Sequence, residues 1–148
     1  MQVEPQDIEA FEKRKPAINV IITGPQDAGK TTLMGHFCFK MGLFSEKTFE
    51  KNTKDSAEMG KDSFKYAWFL DKERCERERE TTYMNHQQKV ELDNSIVCLI
   101  DTPGVKNMVK QRVRGVCYGD VAILVVKAGD WVSEKLSRHY YNIITTQH

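Results

Sequence analysis

The stretch Ile18-Asn-Val-Ile-Ile-Thr23, followed by Gly24-Pro-Gln-Asp-Ala-Gly29-Lys30-Thr31-Thr32, decides how this chain folds. Ile18 to Thr23 is short, apolar and rich in β-branched residues, the composition of a buried strand. From Lys30 to Phe44, Leu33, Phe37 and Met41 recur at helical spacing. Between strand and helix, Gly24 to Thr31 matches GxxxxGK[ST]. In that pattern glycines let backbone N–H groups turn inward and the helix start adds positive potential, which together cradle phosphate oxygens. Lys30 would then reach the β- and γ-phosphates, and the Thr31 hydroxyl would ligate magnesium. Read alone, the same letters also fit a glycine-rich strand-to-helix turn that binds nothing.

Outward from this loop lie three more apolar runs: Gln88 to Leu92, Ile96 to Asp101 and Val121 to Val126. The first two are separated by Asp93-Asn94, a hairpin turn. Glu46 to Lys61 is polar and reads as a helix, as does Lys106 to Cys117, which ends near Gly119. The order is that of an α/β fold, with helices covering a mostly parallel sheet. Asp101-Thr-Pro-Gly104 ends the third run, so an aspartate stands at the carboxyl end of a strand beside the loop, where it holds magnesium through water. At the ends of the chain, Asp7 to Lys15 fits a short helix or a frayed extension. Ser133 to His139 suits a helix, and Tyr140 to Thr146 suits a strand.

Composition narrows the function classes. A chain of 148 residues is one domain, able to bury about two thirds of its unfolded surface. Twenty-two lysines and arginines against 21 aspartates and glutamates leave a net charge of +1, so no whole-chain attraction to nucleic acid or acidic membrane is expected. A 40% hydrophobic share with 29% charged residues excludes disordered and fibrous classes, and no run is long enough to span a membrane. The N-terminus lacks the apolar core of a secretory signal, which predicts a cytoplasmic protein. Cys38, Cys75, Cys98 and Cys117 are far apart with no CxxC pair, and read as reduced thiols rather than metal ligands.

The segment GPQDAGKTTLMGH resembles the phosphate loop of translational GTPases, and DSAEMGKDSFKYAWFLDKERCERERETT is similar to their elongation factor 1-alpha and ribosome-rescue branch. The likeness runs from about Ile18 to Gly129 and includes Lys106-Asn107-Met108. It implies an N-terminal extension over residues 1–17 and, over 18–148, a partial G domain. The corresponding fold is a P-loop NTPase, α/β, with a mostly parallel sheet flanked by helices, C-terminally truncated and without the barrels that grip tRNA or a factor. By position it implies that Gly24, Asp27, Ala28, Gly29, Lys30, Thr31, Thr32 and Gly104 bind GTP or GDP, and that Thr31, Thr82 and Asp101 hold Mg2+. Thr82 matches the switch threonine that closes over the γ-phosphate. The charge run Glu76 to Glu80 is also kept, although on composition alone it reads as a solvated helix face.

Departures from the family pattern shape the expected activity. Val105 replaces the histidine after the DxPG turn that positions the attacking water, so a contribution worth roughly 10²- to 10⁴-fold in rate is expected to be lost. Glu80 replaces the glycine before the switch threonines, which predicts that a glycine-dependent backbone excursion is blocked. Pro25 and Gln26 replace the usual His-Val, a change that backbone-mediated contacts tolerate. No NKxD motif follows the fourth run, which predicts weak selection of guanine over adenine. Val121 to Val126, apolar at successive positions, predicts a strand covered on both faces and an edge that a second copy of the chain, a partner or Tyr140 to Thr146 must cover. The functional expectation is a GTP-binding domain with slow hydrolysis that works with the ribosome or a translation factor. A pseudo-GTPase that binds without turnover and a truncated product with no role of its own are the alternatives.

Overall fold

The computed structural model describes residues 15–128. The expected elements at Ser133 to His139 and Tyr140 to Thr146, and all but Lys15 of the N-terminal stretch, lie outside these residues. Four strands form one sheet: β1 (Ala17–Thr23), β2 (His86–Glu91), β3 (Ile96–Asp101) and β4 (Val121–Leu124). Their order is β2-β3-β1-β4. The β1 strand pairs in parallel with both β3 and β4, and β2 pairs antiparallel with β3. The hairpin turn forms at Asp93-Asn94, closed by Leu92 N–H donating to the Ser95 carbonyl at 2.8 Å. β2 begins two residues earlier than its apolar run, and the register sets His86 opposite Asp101.

Among the described residues four α-helices accompany the sheet: α1 (Lys30–Lys40), α2 (Glu46–Glu58), α3 (Arg74–Arg79) and α4 (Val109–Val116). α1 stops short of Phe44, and Gly42 turns the chain at φ 73°. α2 starts at the Ser45 cap, whose hydroxyl accepts from Thr48 N–H at 3.3 Å and satisfies one orphan donor of the first turn. The expected helix from Lys106 begins as a single 3-10 turn, Lys106–Met108, before α4.

The core contains Ile22, Met34, Cys38, Leu70, Val90 and Leu99. Burying a side chain such as Met34 contributes roughly 1.5–3 kcal/mol. α1 therefore faces the sheet with Met34 and Cys38, and the helically spaced Leu33, Phe37 and Met41 stay exposed. The helix is apolar around most of its circumference, so spacing identified a helix but could not choose the buried face. Backbone proximity made that choice: a Cβ on Gly35 would lie 2.1 Å from the Tyr66 carbonyl oxygen, so only glycine lets α1 meet the insertion there. Stacked rings then hold α1 to the segment between it and β2, with Phe39 against Phe49 at 4.7 Å and against Phe69 at 5.8 Å between centroids.

The expectation of a doubly covered fourth strand depends on Tyr140 to Thr146 or a partner, and Tyr140 to Thr146 lies outside the described residues. β4 is an edge strand among the described residues, and Val121, Ala122 and Ile123 are exposed. Successive apolar residues signal coverage on both faces, but no described element stands over β4. No helix among the described residues is long and apolar enough to cross a membrane.

Candidate functional site

β1 delivers the chain into the loop through Gly24, whose φ of 153° and 2.2 Å separation from a would-be Cβ to the Val125 carbonyl oxygen leave room only for hydrogen. Asp27 takes the left-handed conformation at φ 61°, and Gly29 at φ 88° caps α1. The first turn of α1 holds no acidic side chain, so its N-terminal positive potential is not neutralised within the helix. Lys30 is 6% exposed and donates to the Pro25 carbonyl at 2.8 Å. Burial pulls its pKa below the ordinary lysine value, and the nearby Asp101 charge partly opposes that.

Asp101 at the end of β3 is fully buried. Its Oδ2 accepts from the Thr31 hydroxyl at 2.6 Å, and the Thr31 and Thr82 hydroxyls are 2.9 Å apart. Thr82 also lies 3.1 Å from Asp71 Oδ1. The two hydroxyls have one proton each for three contacts, so acceptors outnumber donors. Asp101 Oδ1 is buried without a hydrogen-bond partner. Desolvation pushes the Asp101 carboxyl up to about 6, against the pull of the Thr31 hydroxyl and Lys30. A buried, acceptor-rich oxygen cluster with an orphaned carboxylate oxygen fits a hard divalent cation such as Mg2+.

The turn after β3 is tied to the sheet by Thr102, whose hydroxyl donates to the Ile22 carbonyl at 2.9 Å. Arg112 of α4 straps its far side, donating to the carbonyls of Pro103 at 3.2 Å and Val105 at 2.7 Å. A Cβ on Gly104 would sit 2.5 Å from Lys30 Nζ and 2.9 Å from the Gln26 backbone, so glycine sets how closely this turn meets the loop. Asp27, Gly29, Lys30, Thr31, Thr32, Thr82, Gly104 and Val105 line one cavity of about 70 Å3. Gly24 and the buried Asp101 lie outside that lining, and Ala28 borders a neighbouring cleft of about 510 Å3 that shares Gly29 and Thr32.

The Elongation factor Tu GTP binding domain family matches residues 15–148. The chain belongs to that family. Elongation factor 1-alpha of Entamoeba histolytica is 44% identical over 117 residues, 79% of this chain and 26% of the relative. Elongation factor 1-alpha 1 of Euplotes crassus is 43% identical over the same shares. The chain thus spans about a quarter of the length of these curated relatives. Among solved structures, the S. cerevisiae Ski7 GTPase-like domain bound to GDP and inorganic phosphate superposes with a TM-score of 0.72 at 26% identity, over 81% of this chain and 27% of that one. Bacterial selenocysteine-specific elongation factor EF-Sec shares the fold, with a TM-score of 0.58 at 21% identity, over 87% of this chain and 18% of that one.

Within this GTP-binding domain, the segment around Thr82 departs from what its residue types alone suggest. Glu80 does adopt the left-handed conformation, at φ 54° and ψ 35°. Lys61 offsets the strain by pairing with Glu80 Oε1 at 3.1 Å and donating to the Arg77 and Glu78 carbonyls at the end of α3. The charge run is also no solvated face throughout: Glu76 is 1% exposed and accepts from Tyr83 N–H at 2.9 Å. Arg77 turns inward to the Asp71 and Trp68 carbonyls, its guanidinium 5.0 Å from the Trp68 ring centroid. Asp71, His86 and Arg112 are parts of the site's surroundings that sequence reading missed. No local motif marks them, since each acts through partners distant in the chain.

Proposed function

We propose that this G domain binds GTP or GDP with Mg2+ as part of a translation elongation, release or rescue factor, and that it hydrolyses GTP slowly. The reading rests on the convergence of Thr31, Thr82 and Asp101 around an orphaned carboxylate oxygen beside Lys30. Thr31 and Thr82 offer hydroxyl oxygens to Mg2+, and Asp101 offers its carboxylate; bound there, the ion neutralises charge on the phosphates. Lys30 and the N–H groups at the start of α1 attract the phosphate oxygens, and Gly104 lets the second turn approach them. The 70 Å3 cavity takes the phosphate end, and the adjoining 510 Å3 cleft is the space left for the nucleoside.

Val105 faces the same cavity, where an isopropyl group neither donates nor accepts a hydrogen bond. Slow turnover follows from that substitution. It also favours the second reading, a pseudo-GTPase that uses the bound nucleotide only to hold a shape recognised by a ribosome or factor. The likeness to a domain described as GTPase-like points the same way. Titration with fluorescent GDP, GTP and ATP analogues, with and without Mg2+, tests the binding reading. Absence of Mg2+-dependent affinity would overturn it. Single-turnover hydrolysis separates the two activities: Val105→His should raise the rate by roughly 10²-fold if the site is a slow enzyme. A variant that binds but gains nothing supports the pseudo-GTPase.

A further inference from the structure

The geometry points to a second cation site, built from Asp71, Glu76 and His86 and suited to a borderline transition metal such as Zn2+. Asp71 follows the 3-10 turn Ala67–Phe69, Glu76 lies in α3 and His86 opens β2, so three separate elements supply one ligand each. Their ligand atoms all lie within 4.8 Å of one another. His86 Nε2 stands 3.5 Å from Asp71 Oδ1 and 3.5 Å from Glu76 Oε1. That is longer than an N–H···O hydrogen bond of about 2.7–3.2 Å. It equals the separation of about 3.3–3.6 Å between neighbouring ligands of a tetrahedral centre with bonds of about 2.0–2.2 Å.

A second observation is independent of these distances. Glu76 is 1% exposed and its Oε1 accepts from Tyr83 N–H, yet its Oε2 is buried without a hydrogen-bond partner. Two buried carboxylates require positive charge beside them, and among the described residues only a protonated His86 faces both, at 3.5 Å, too far to close a hydrogen bond with either. Arg77, next in sequence to Glu76, spends its guanidinium on backbone carbonyls and the Trp68 ring, while Lys61 pairs with Glu80. A divalent ion bound by one imidazole nitrogen and two carboxylates, with water in the fourth position, supplies that charge and engages the unmatched atoms. The imidazole selects Zn2+, Co2+ or Ni2+ over Mg2+, which prefers oxygen ligands. A cleft of about 220 Å3 lined by Leu70, Met84 and His86 gives the ion a route from solvent.

This site adjoins the oxygen cluster at Thr31 and Asp101: Asp71 also lines the 70 Å3 cavity, and Thr82 donates to Asp71. Glu76 and His86 bracket Thr82 in the chain, so an ion there pins both ends of the loop that carries the switch threonine. The probe is Co2+, added to the full chain with Mg2+ and GDP in excess. The expected result is a single bound Co2+ with the intense visible bands of a tetrahedral centre, displaced by Zn2+. Both His86→Gln and Glu76→Gln should weaken Co2+ binding by more than about tenfold. Should either variant fail to fold, Zn2+ must still protect the wild-type chain from tryptic cleavage after exposed Arg79. Absence of both the bands and that protection overturns the proposal. So does unchanged affinity in a folded His86→Gln protein, or a thiolate-to-cobalt band that disappears in Cys75→Ser.

Discussion

The glycine-rich loop and the segment around Thr82, proposed above as a switch, meet at one pair of hydroxyls 2.9 Å apart, yet they are built in opposite ways. The loop is contiguous: Gly24 to Thr31 sets its own backbone, and the positions that matter are those where a side chain must be absent or a helix must start. The switch segment is assembled from distant pieces. Lys61 caps α3, Asp71 accepts from Thr82, Glu76 holds Tyr83 N–H, and His86 reaches back to both carboxylates. Backbone geometry makes the first region intolerant of small changes at few positions. Side-chain networks spread the second over many residues, each with a smaller individual effect.

The harshest way to break the first region is Gly24→Ala. Its Cβ would meet the Val125 carbonyl oxygen at 2.2 Å in a conformation that L residues avoid, and urea unfolding should show a loss of about 3 kcal/mol or more. A smaller change, Lys30→Ala, keeps the loop but removes its buried ammonium. Calorimetry should then find triphosphate affinity lower by at least about tenfold, near 1.4 kcal/mol.

The junction between the regions is sharpened by pH. With its carboxyl pushed up from 3.8 to about 6 in the folded chain, Asp101 binds its proton more tightly when folded. Without a cation, its contribution to stability therefore falls as pH rises from about 4 to about 6, and the cost persists above that range. Mg2+ competes for the deprotonated form, so Mg2+-dependent nucleotide affinity should fall as pH drops below about 6, by up to about tenfold per pH unit. A flat profile from pH 5 to pH 7 would place the cation elsewhere.

Glu80→Gly should have the smallest effect. Glycine relieves the left-handed strain, about 1 kcal/mol, while the change deletes a partly exposed ion pair worth roughly 0–1 kcal/mol. Stability should move by less than about 1 kcal/mol in thermal unfolding. A larger loss would make the Lys61 contact an essential part of the switch segment.

The difference between the two regions also explains what could be read from the letters. Strand β1, the loop, α1, the hairpin at Asp93-Asn94 and the aspartate ending β3 follow from short patterns, because each depends on neighbours within a few residues. Their convergence follows from parallel pairing of β1 with β3, which an α/β order implies. The buried face of α1 was not readable, because helical spacing offered Leu33, Phe37 and Met41 while close approach at Gly35 turned Met34 and Cys38 inward. The conformation of Glu80 was misread because a residue type reports backbone preference, and Lys61, nineteen positions away, offsets that preference.

By itself, then, the sequence determined the phosphate cradle and its place between strand and helix, since those are properties of backbone dihedral angles written in consecutive residues. Tertiary structure alone decided that Glu76 is buried, that β2 begins early enough to set His86 opposite Asp101, and that Arg112 straps the turn at Pro103 and Val105. The physical reason is that a buried charge is defined by the partners folding brings to it, and these partners are separated by up to dozens of residues in the chain.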